Sequence, residues 1–454
     1  MVGALASTRA LRPPNKSEHF VQEAQRLAAL TVRAVLDGST LPVALARLAP
    51  RDSDAVGRRR ALVQELAFGT LRHWGSLDAL VRRLTGKPLA DPVLSCLVAV
   101  AIYQIDHTRA PAFAIVDHAV NAAALVARPA AKSLANAVLR RYLRERESLH
   151  AQIGDDAVAR WSHPAWWIGR LQREYPEAWE EILSAGNVRP PLAVRVNRRV
   201  TTREALCATW SAASISATMQ GDAGLLVEPP RPADDLPGYA DGAFSVQDLG
   251  AQLAAPRLGL ATGQRVLDAC AAPGGKSTHI AELADVELVA LDNDTERLQR
   301  LRQNFDRLRV ASPGACVIAG DAGNPSQWWD GRPFDRILAD VPCTASGIVR
   351  RHPDVKWLRR ESDVARFVAQ QARILDALWA CLASGGLLLY ATCSVFAAEN
   401  EDQIAAFASR RPEALRESLT FAADVARRGA QLLPSSAAAG HNQDGFFYAL
   451  LRKP

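Results

Sequence analysis

Six short apolar runs, RVLDAC (265–270), ELVALD (287–292), ACVIAG (315–320), DRILADV (335–341), LLLYATC (387–393) and GFFYALLR (445–452), punctuate the last 212 residues of this 454-residue chain. Amphipathic helical stretches separate most of them, the longest over 361–382. Apolar strands spaced by helices can bury both faces of a sheet only as a mostly parallel, doubly wound α/β layer. In such sheets ligands bind beyond the carboxyl ends of the strands. The residues at those ends are therefore the ones that bear on chemistry.

The first strand runs into DACAAPGGKST (268–278). Gly274 and Gly275 let backbone approach a ligand closely, and a helix starting near Lys276 presents unpaired N–H groups. As a P-loop the segment fails, because Cys270 stands where the first glycine belongs and Pro273 removes a donor from the phosphate cradle. An adenosyl ligand fits better, its amino-acid portion over the loop and its ribose hydroxyls on Asp292, which ends the second strand 24 residues beyond Asp268. Asn293 follows that acid and can share its role. The third strand ends in Gly320-Asp321, where the carboxylate can reach an adenine edge.

The fourth strand ends in DVPCTASG (340–347) and the fifth in YATCS (390–394), which sets Cys343 and Cys393 on one rim of the sheet. A buried, inert thiol is the expectation for Cys96, Cys207, Cys316 and Cys381. Two thiols converging on a cofactor rim are different. Zinc is disfavoured: there is no C-x-x-C, His352 and His441 have no partners at ligand spacing, and no metal is expected. A thiolate beside an adenosyl methyl donor suits methylation of a pyrimidine at carbon 5. Addition of the thiolate to carbon 6 pushes electron density onto carbon 5, which then attacks the methyl group. Asp340 is placed to protonate or hydrogen-bond a ring nitrogen. One thiol attacks and the other helps resolve the adduct; the residues alone do not say which.

The rest of the chain is organised differently. From Ser17 to about Glu147 apolar residues recur at helical spacing, with breaks at Asp37-Gly38, Thr85–Pro88, Arg109–Pro111 and Arg128-Pro129, and a bundle of about six helices is expected over 17–150. Residues 1–16 read as a flexible tail. The region 151–242 is a small α+β piece with a strand at Leu192–Val196, a helix from Thr202 and the turn-rich EPPRPADDLPGYADG; its tryptophans (Trp161, Trp166, Trp167, Trp179) are expected in a core. The catalytic part spans 243–454. Arg and Ala are abundant and only six residues are Lys, a bias that codon composition explains, so the position of charge says more than the net +6. Residues 1–150 hold 21 basic and 12 acidic side chains, the remainder 33 and 36. The whole surplus lies in the first third, which suggests an anionic partner there. The final predicted helix of the bundle, KSLANAVLRRYLRERE, puts Lys132, Arg140, Arg141, Arg144 and Arg146 on or near one exposed face. No apolar run has the length and composition of a membrane span, and seven scattered cysteines suit a reducing compartment. A cytoplasmic monomer, away from membranes, is expected.

Taken together, DACAAPGGK, DVPCTASG with RRHPDVKW after it, and YATCS resemble the RNA cytosine-5 methyltransferase family. APAFAIVDHAVNAA and KSLANAVLRRYL are similar to the helical RNA-binding domain shared with the antitermination factor NusB, and the combination resembles the 16S rRNA branch of the family across nearly the whole chain. That resemblance implies a Rossmann-like domain using S-adenosyl-L-methionine. It makes Cys393 the nucleophile and Cys343 the residue of product release. It gives the cofactor loop to Cys270, Ala271, Ala272, Pro273, Gly274, Gly275 and Lys276, and the cofactor acids to Asp292, Asp321 and Asp340. The implied target is the cytosine numbered 967 of 16S rRNA, as naked RNA or in an early small-subunit intermediate; another rRNA or tRNA cytosine stays open. Thr344-Ala345-Ser346 departs conservatively from the commoner Ser-Gly-Thr. The basic run Arg350, Arg351, Lys356, Arg359 and Arg360 is expected to hold phosphates near a flipped base. A non-catalytic antitermination-type RNA-binding factor is the alternative, and the intact motifs weigh against it.

Overall fold

The computed structural model describes residues 16–48, 54–310, 315–421, 427–428, 430–436 and 442–454. The expected tail lies outside them except for Lys16, where the first helix begins, and so does His441. The chain divides into two compact units, Met1–Ala165 and Trp166–Pro454.

The first unit is helical. Seven helices run between Lys16 and Ile153 among the described residues, against about six expected, and a short one follows at Ala157–Trp161. Their buried faces recur at helical spacing, as in Ala24, Ala28, Val32 and Val35 or Leu139 and Tyr142. The helix Pro92–His107 starts as its sequence dictates: proline occupies the first turn, and the Asp91 carboxylate accepts from Val93 N and Leu94 N. Two boundaries fall outside the expected breaks: that between helices Leu41–Leu48 and Asp54–Arg72, and that at His73, between Asp54–Arg72 and Trp74–Thr85. A close approach accompanies the second: a Cβ at Gly75 would lie 2.3 Å from Val158 O in the helix packed alongside. The last bundle helix extends to Ile153 and exposes Lys132, Arg140, Arg141, Arg144 and Arg146; Arg146 is ion-paired to Asp106 at 2.8 Å and Arg141 to Glu145 at 2.9 Å.

The second unit holds two sheets. The smaller is antiparallel, in the order β2 (Ala217–Gln220), β3 (Gly224–Val227), β1 (Leu192–Val196), β4 (Phe244–Val246). Helix Arg203–Ala212, capped by the Thr202 hydroxyl, packs Leu206 and Trp210 onto Val194, Val196, Leu225 and Phe244. Trp167 is also core, its ring against Phe396 at 5.1 Å.

The larger sheet contains β5 (Arg265–Ala269), β6 (Glu287–Asp292), β7 (Cys316–Ala319), β8 (Phe334–Asp340) and β9 (Leu382–Thr392), followed by β10 (Leu415–Glu417), β11 (Arg427–Arg428), β12 (Gln431–Leu432) and β13 (Phe446–Arg452). Its order is β11-β12-β13-β9-β8-β5-β6-β7, with β10 also on β13. The five strands β5 to β9 pair in parallel; β13 returns antiparallel to β9. Alternate residues feed two cores. Val266, Leu288 and Leu338 face one, with Ile280 and Leu301 from the helices covering that side, and Leu267, Val289 and Ile337 face the other, with Ile374 and Leu378 from helix Glu361–Cys381. This double burial is why the strands read as continuous apolar runs. The chain order reverses between β5 and β8, and a crevice at their carboxyl ends is the consequence.

Arg195, on β1, fastens the small sheet to the larger one. Its guanidinium, fully buried, donates to both carboxylate oxygens of Glu282 (2.7 and 3.0 Å), to Gly275 O (2.7 Å), to Thr278 Oγ1 (3.1 Å) and to Gln247. Removing one member of a buried ion pair strands the other in low dielectric, at a cost of about 3–5 kcal/mol. Arg195→Leu is therefore expected to lower stability by that amount, measured by chemical denaturation against wild type; a loss below about 1 kcal/mol contradicts the role.

Candidate active site

At the end of β5 the backbone turns sharply: Cys270 has φ 64° and Gly274 φ 100°, and helix Gly275–Leu283 follows at once. A side chain at Gly274 would crowd Leu301, whose Cγ lies 3.0 Å from the ideal Cβ position. The Asp292 carboxylate is buried and holds this loop, accepting from Ala272 N at 3.0 Å and from Asp294 N at 2.9 Å. Asp268, inside the same turn, accepts from Ser277 Oγ, while its other oxygen has no partner among the described residues. Burial pushes its pKa up to about 7.

Cys270, Asp292, Asn293, Gly320, Asp321 and Pro342 line one pocket at the strand ends, with Ile374 beside them. Carboxylates on one side and apolar groups on another suit a ribose and a flat base, so the residues fit an adenosyl group. Asp321 reaches this pocket already engaged: Arg373 Nη1 lies 2.9 Å from its Oδ2, and Gly323 N donates to Oδ1. Arg373 holds the Asp321 carboxyl below its usual range.

Lys276 stands in the first turn of the helix that follows the loop. Its ammonium is buried 2.5 Å from Asp340 Oδ2, at the end of β8, and lies 5.5 Å from the Phe446 ring. Burial favours losing that proton, but the Asp340 carboxylate outweighs it and the lysine is held charged. The two thiols close the site. Cys343 Sγ and Cys393 Sγ are 3.4 Å apart; Cys343 is buried and Cys393 half-buried. The hydrogen bond to Cys393, reinforced by burial, raises the Cys343 thiol well above its ordinary pKa, so it stays protonated at neutral pH.

The basic run is corrected here. Arg350 is 1% exposed, its guanidinium between Asp444 and Asp248, with Ser435 O and Asn442 also accepting. Arg351 bridges the same two carboxylates at 2.7 Å each. Lys356 is fully buried with Nζ 2.8 Å from Asn187 Oδ1, and Arg359 donates to Thr344 O. These four side chains are engaged by partners within the protein, while Arg360 is exposed. A buried cation requires partners, and Asp248 and Asp444 lie too far along the chain to be matched to these arginines from sequence. Sequence reasoning also missed Glu399, fully buried and hydrogen-bonded to the residues that follow both thiols, although ENE (399–401) follows YATCS by only four residues.

Residues 255–452 match the model of the 16S rRNA methyltransferase RsmB/F family, 163–234 that of its ferredoxin-like domain, and 22–144 that of the NusB family. The ribosomal RNA small subunit methyltransferase B of Vibrio cholerae is 41% identical over 444 residues, covering 96% of this chain and 98% of the relative. This chain belongs to the RsmB/F family. The Pseudomonas putida member, of the same name, is 44% identical over 438 residues, 94% of this chain and 97% of the relative. A crystal structure of a methyltransferase homolog protein from Pyrococcus horikoshii shares the fold, with TM-score 0.57 and 24% identity over 66% of this chain and 98% of that one. As an RsmB/F protein the chain is an rRNA methyltransferase, and S-adenosylmethionine is its methyl donor. The strand-end pocket, the Lys276–Asp340 pair and both thiols all fall within the RsmB/F match.

Proposed function

We propose that the protein methylates carbon 5 of a cytosine in 16S rRNA, the one numbered 967, through a covalent bond from Cys393 to carbon 6. The observation that carries this reading is the thiol pair: two sulfurs 3.4 Å apart at the ends of adjacent strands, one buried and held protonated, the other more open. A nucleophile must be reachable and able to lose its proton. Cys393 meets the first condition better than Cys343, and Cys343 is kept from the second.

S-adenosylmethionine supplies the methyl group. Loop residues 270–276 would hold it, with Asp292 available to the ribose hydroxyls and Asp321, steadied by Arg373, to the adenine. As the Cys393 thiol adds to carbon 6, its proton passes by way of the Asp340 carboxylate, which Lys276 fixes in place, to the ring nitrogen of the flipped cytosine. After methyl transfer solvent water takes the carbon 5 proton, the ring nitrogen returns its proton to Asp340, and the bond from Cys393 to carbon 6 breaks with its electron pair leaving on sulfur. The Cys343 thiol, in hydrogen-bond contact with the departing sulfur, stabilises the released thiolate. The protein acts as a monomer, on naked 16S rRNA or an early small-subunit intermediate, and its basic N-terminal helices contact that RNA.

Bisulfite sequencing of total RNA from a deletion strain tests this. Cytosine 967 is expected to lose protection and to regain it when the gene is restored. Loss at a different cytosine contradicts the target, and no change anywhere contradicts carbon 5 methylation.

A further inference from the structure

The Glu399 carboxylate, fully buried, gathers four hydrogen bonds among the described residues, none of them from a cation. Its Oε1 accepts from Thr344 N at 2.8 Å and Gln371 Nε2 at 3.1 Å; its Oε2 accepts from the hydroxyls of Thr344 and Ser394, each at 2.5 Å. Four donors fill the lone-pair sites of a carboxylate and offset the cost of burying the anion. Thr344 directly follows Cys343 and Ser394 directly follows Cys393, so one side chain ties the backbone beside both thiols.

The neighbouring groups extend the clamp to the other flank of each cysteine. Gln371, held by Glu399, also donates to Pro342 O at 2.9 Å, just before Cys343. Asn400 accepts from the Thr392 hydroxyl at 2.6 Å, just before Cys393, and donates to Ser394 O at 2.9 Å. The two loops also meet directly, with Gly347 N donating to Cys393 O at 2.8 Å. We propose that Glu399 is a positioning residue of the methyl transfer: it sets the spacing of the two thiols by joining the residues that follow them. The inference rests on the thiol mechanism proposed above. The negative charge of Glu399 acts in the same direction as that mechanism, adding to the contact with Cys393 and to burial in keeping Cys343 protonated.

The test compares Glu399→Ala with Glu399→Gln in single-turnover methyl transfer to 16S rRNA, alongside S-adenosylmethionine affinity by calorimetry. A misplacement of reacting groups by about 1 Å can cost about 100-fold in rate, and a loss of that size is expected for Glu399→Ala, with cofactor affinity within about threefold of wild type. Glutamine can keep Thr344 N and Gln371 on its oxygen and donate its amide to the two hydroxyls, so Glu399→Gln is expected within about tenfold of wild type. Wild-type rates in Glu399→Ala, or equal losses in both variants, overturn the proposal. If Glu399→Ala does not bind cofactor, Ser394→Ala, which removes one of the four donors together with that hydroxyl's bonds to Ser346, Thr344 and Phe396 N, is read instead: slowed transfer with cofactor affinity kept supports the clamp and an unchanged rate overturns it. Cys393→Ala is run in parallel. If that variant still methylates, the thiol mechanism itself fails, however Glu399 behaves.

Discussion

Cys343→Ala enzyme, mixed with S-adenosylmethionine and 16S rRNA, is expected to accumulate a protein–RNA complex that survives denaturing electrophoresis, while wild type shows little. The bond to carbon 6 forms through Cys393, and its breakage leaves a thiolate in a partly buried site. A hydrogen bond to a charged group contributes about 1.5–3 kcal/mol, and the Cys343 thiol, 3.4 Å from that sulfur and held protonated, is the donor at hand. Removing it slows release more than attack, so the covalent species persists. Turnover is expected to fall about 10- to 100-fold, the rate equivalent of that hydrogen bond. Equal amounts of stable complex in wild type and variant would show that Cys343 has no part in release.

Cys393→Ala has the larger effect on rate. Without the adduct, carbon 5 of cytosine is a poor nucleophile, and no neighbouring group can replace the covalent step: Cys343 is buried and its proton is held. Loss of an enzyme nucleophile can lower turnover by about a millionfold, and methyl transfer is expected to fall below detection in a tritium-release or filter assay. Cofactor affinity is expected to stay within about threefold of wild type, because the pocket formed by Cys270, Asp292, Gly320 and Asp321 does not include Cys393. A Cys393→Ala enzyme that methylates at more than a few per cent of the wild-type rate contradicts the assignment.

The parallel sheet is legible because its central strands are buried on both faces and therefore read as uninterrupted apolar runs; even the bounds of β6 are those of the run ELVALD. The meeting of Cys343 with Cys393 is legible for the same reason, since parallel neighbours with the same direction bring their carboxyl ends to one rim. What sequence hides is long-range polar pairing. Arg350 and Arg351 look like a basic surface run until Asp248 and Asp444 are seen to close on them, and the pairing of Lys276 with Asp340 joins residues 64 apart in the chain. Arg195 gives no local signal at all, because its partners Glu282, Thr278 and Gly275 lie on a different sheet's helix. The break at His73 is hidden for a different reason: it carries no turn residue, and a tertiary approach at Gly75 accompanies it.

The covalent chemistry is tested most directly by digesting the Cys343→Ala protein–RNA complex with nuclease and trypsin and locating the nucleotide by tandem mass spectrometry. The expected product is a peptide with a methylated cytidine on Cys393. A nucleotide attached to any other residue, or methylated RNA released with no adduct on Cys393, would contradict the mechanism.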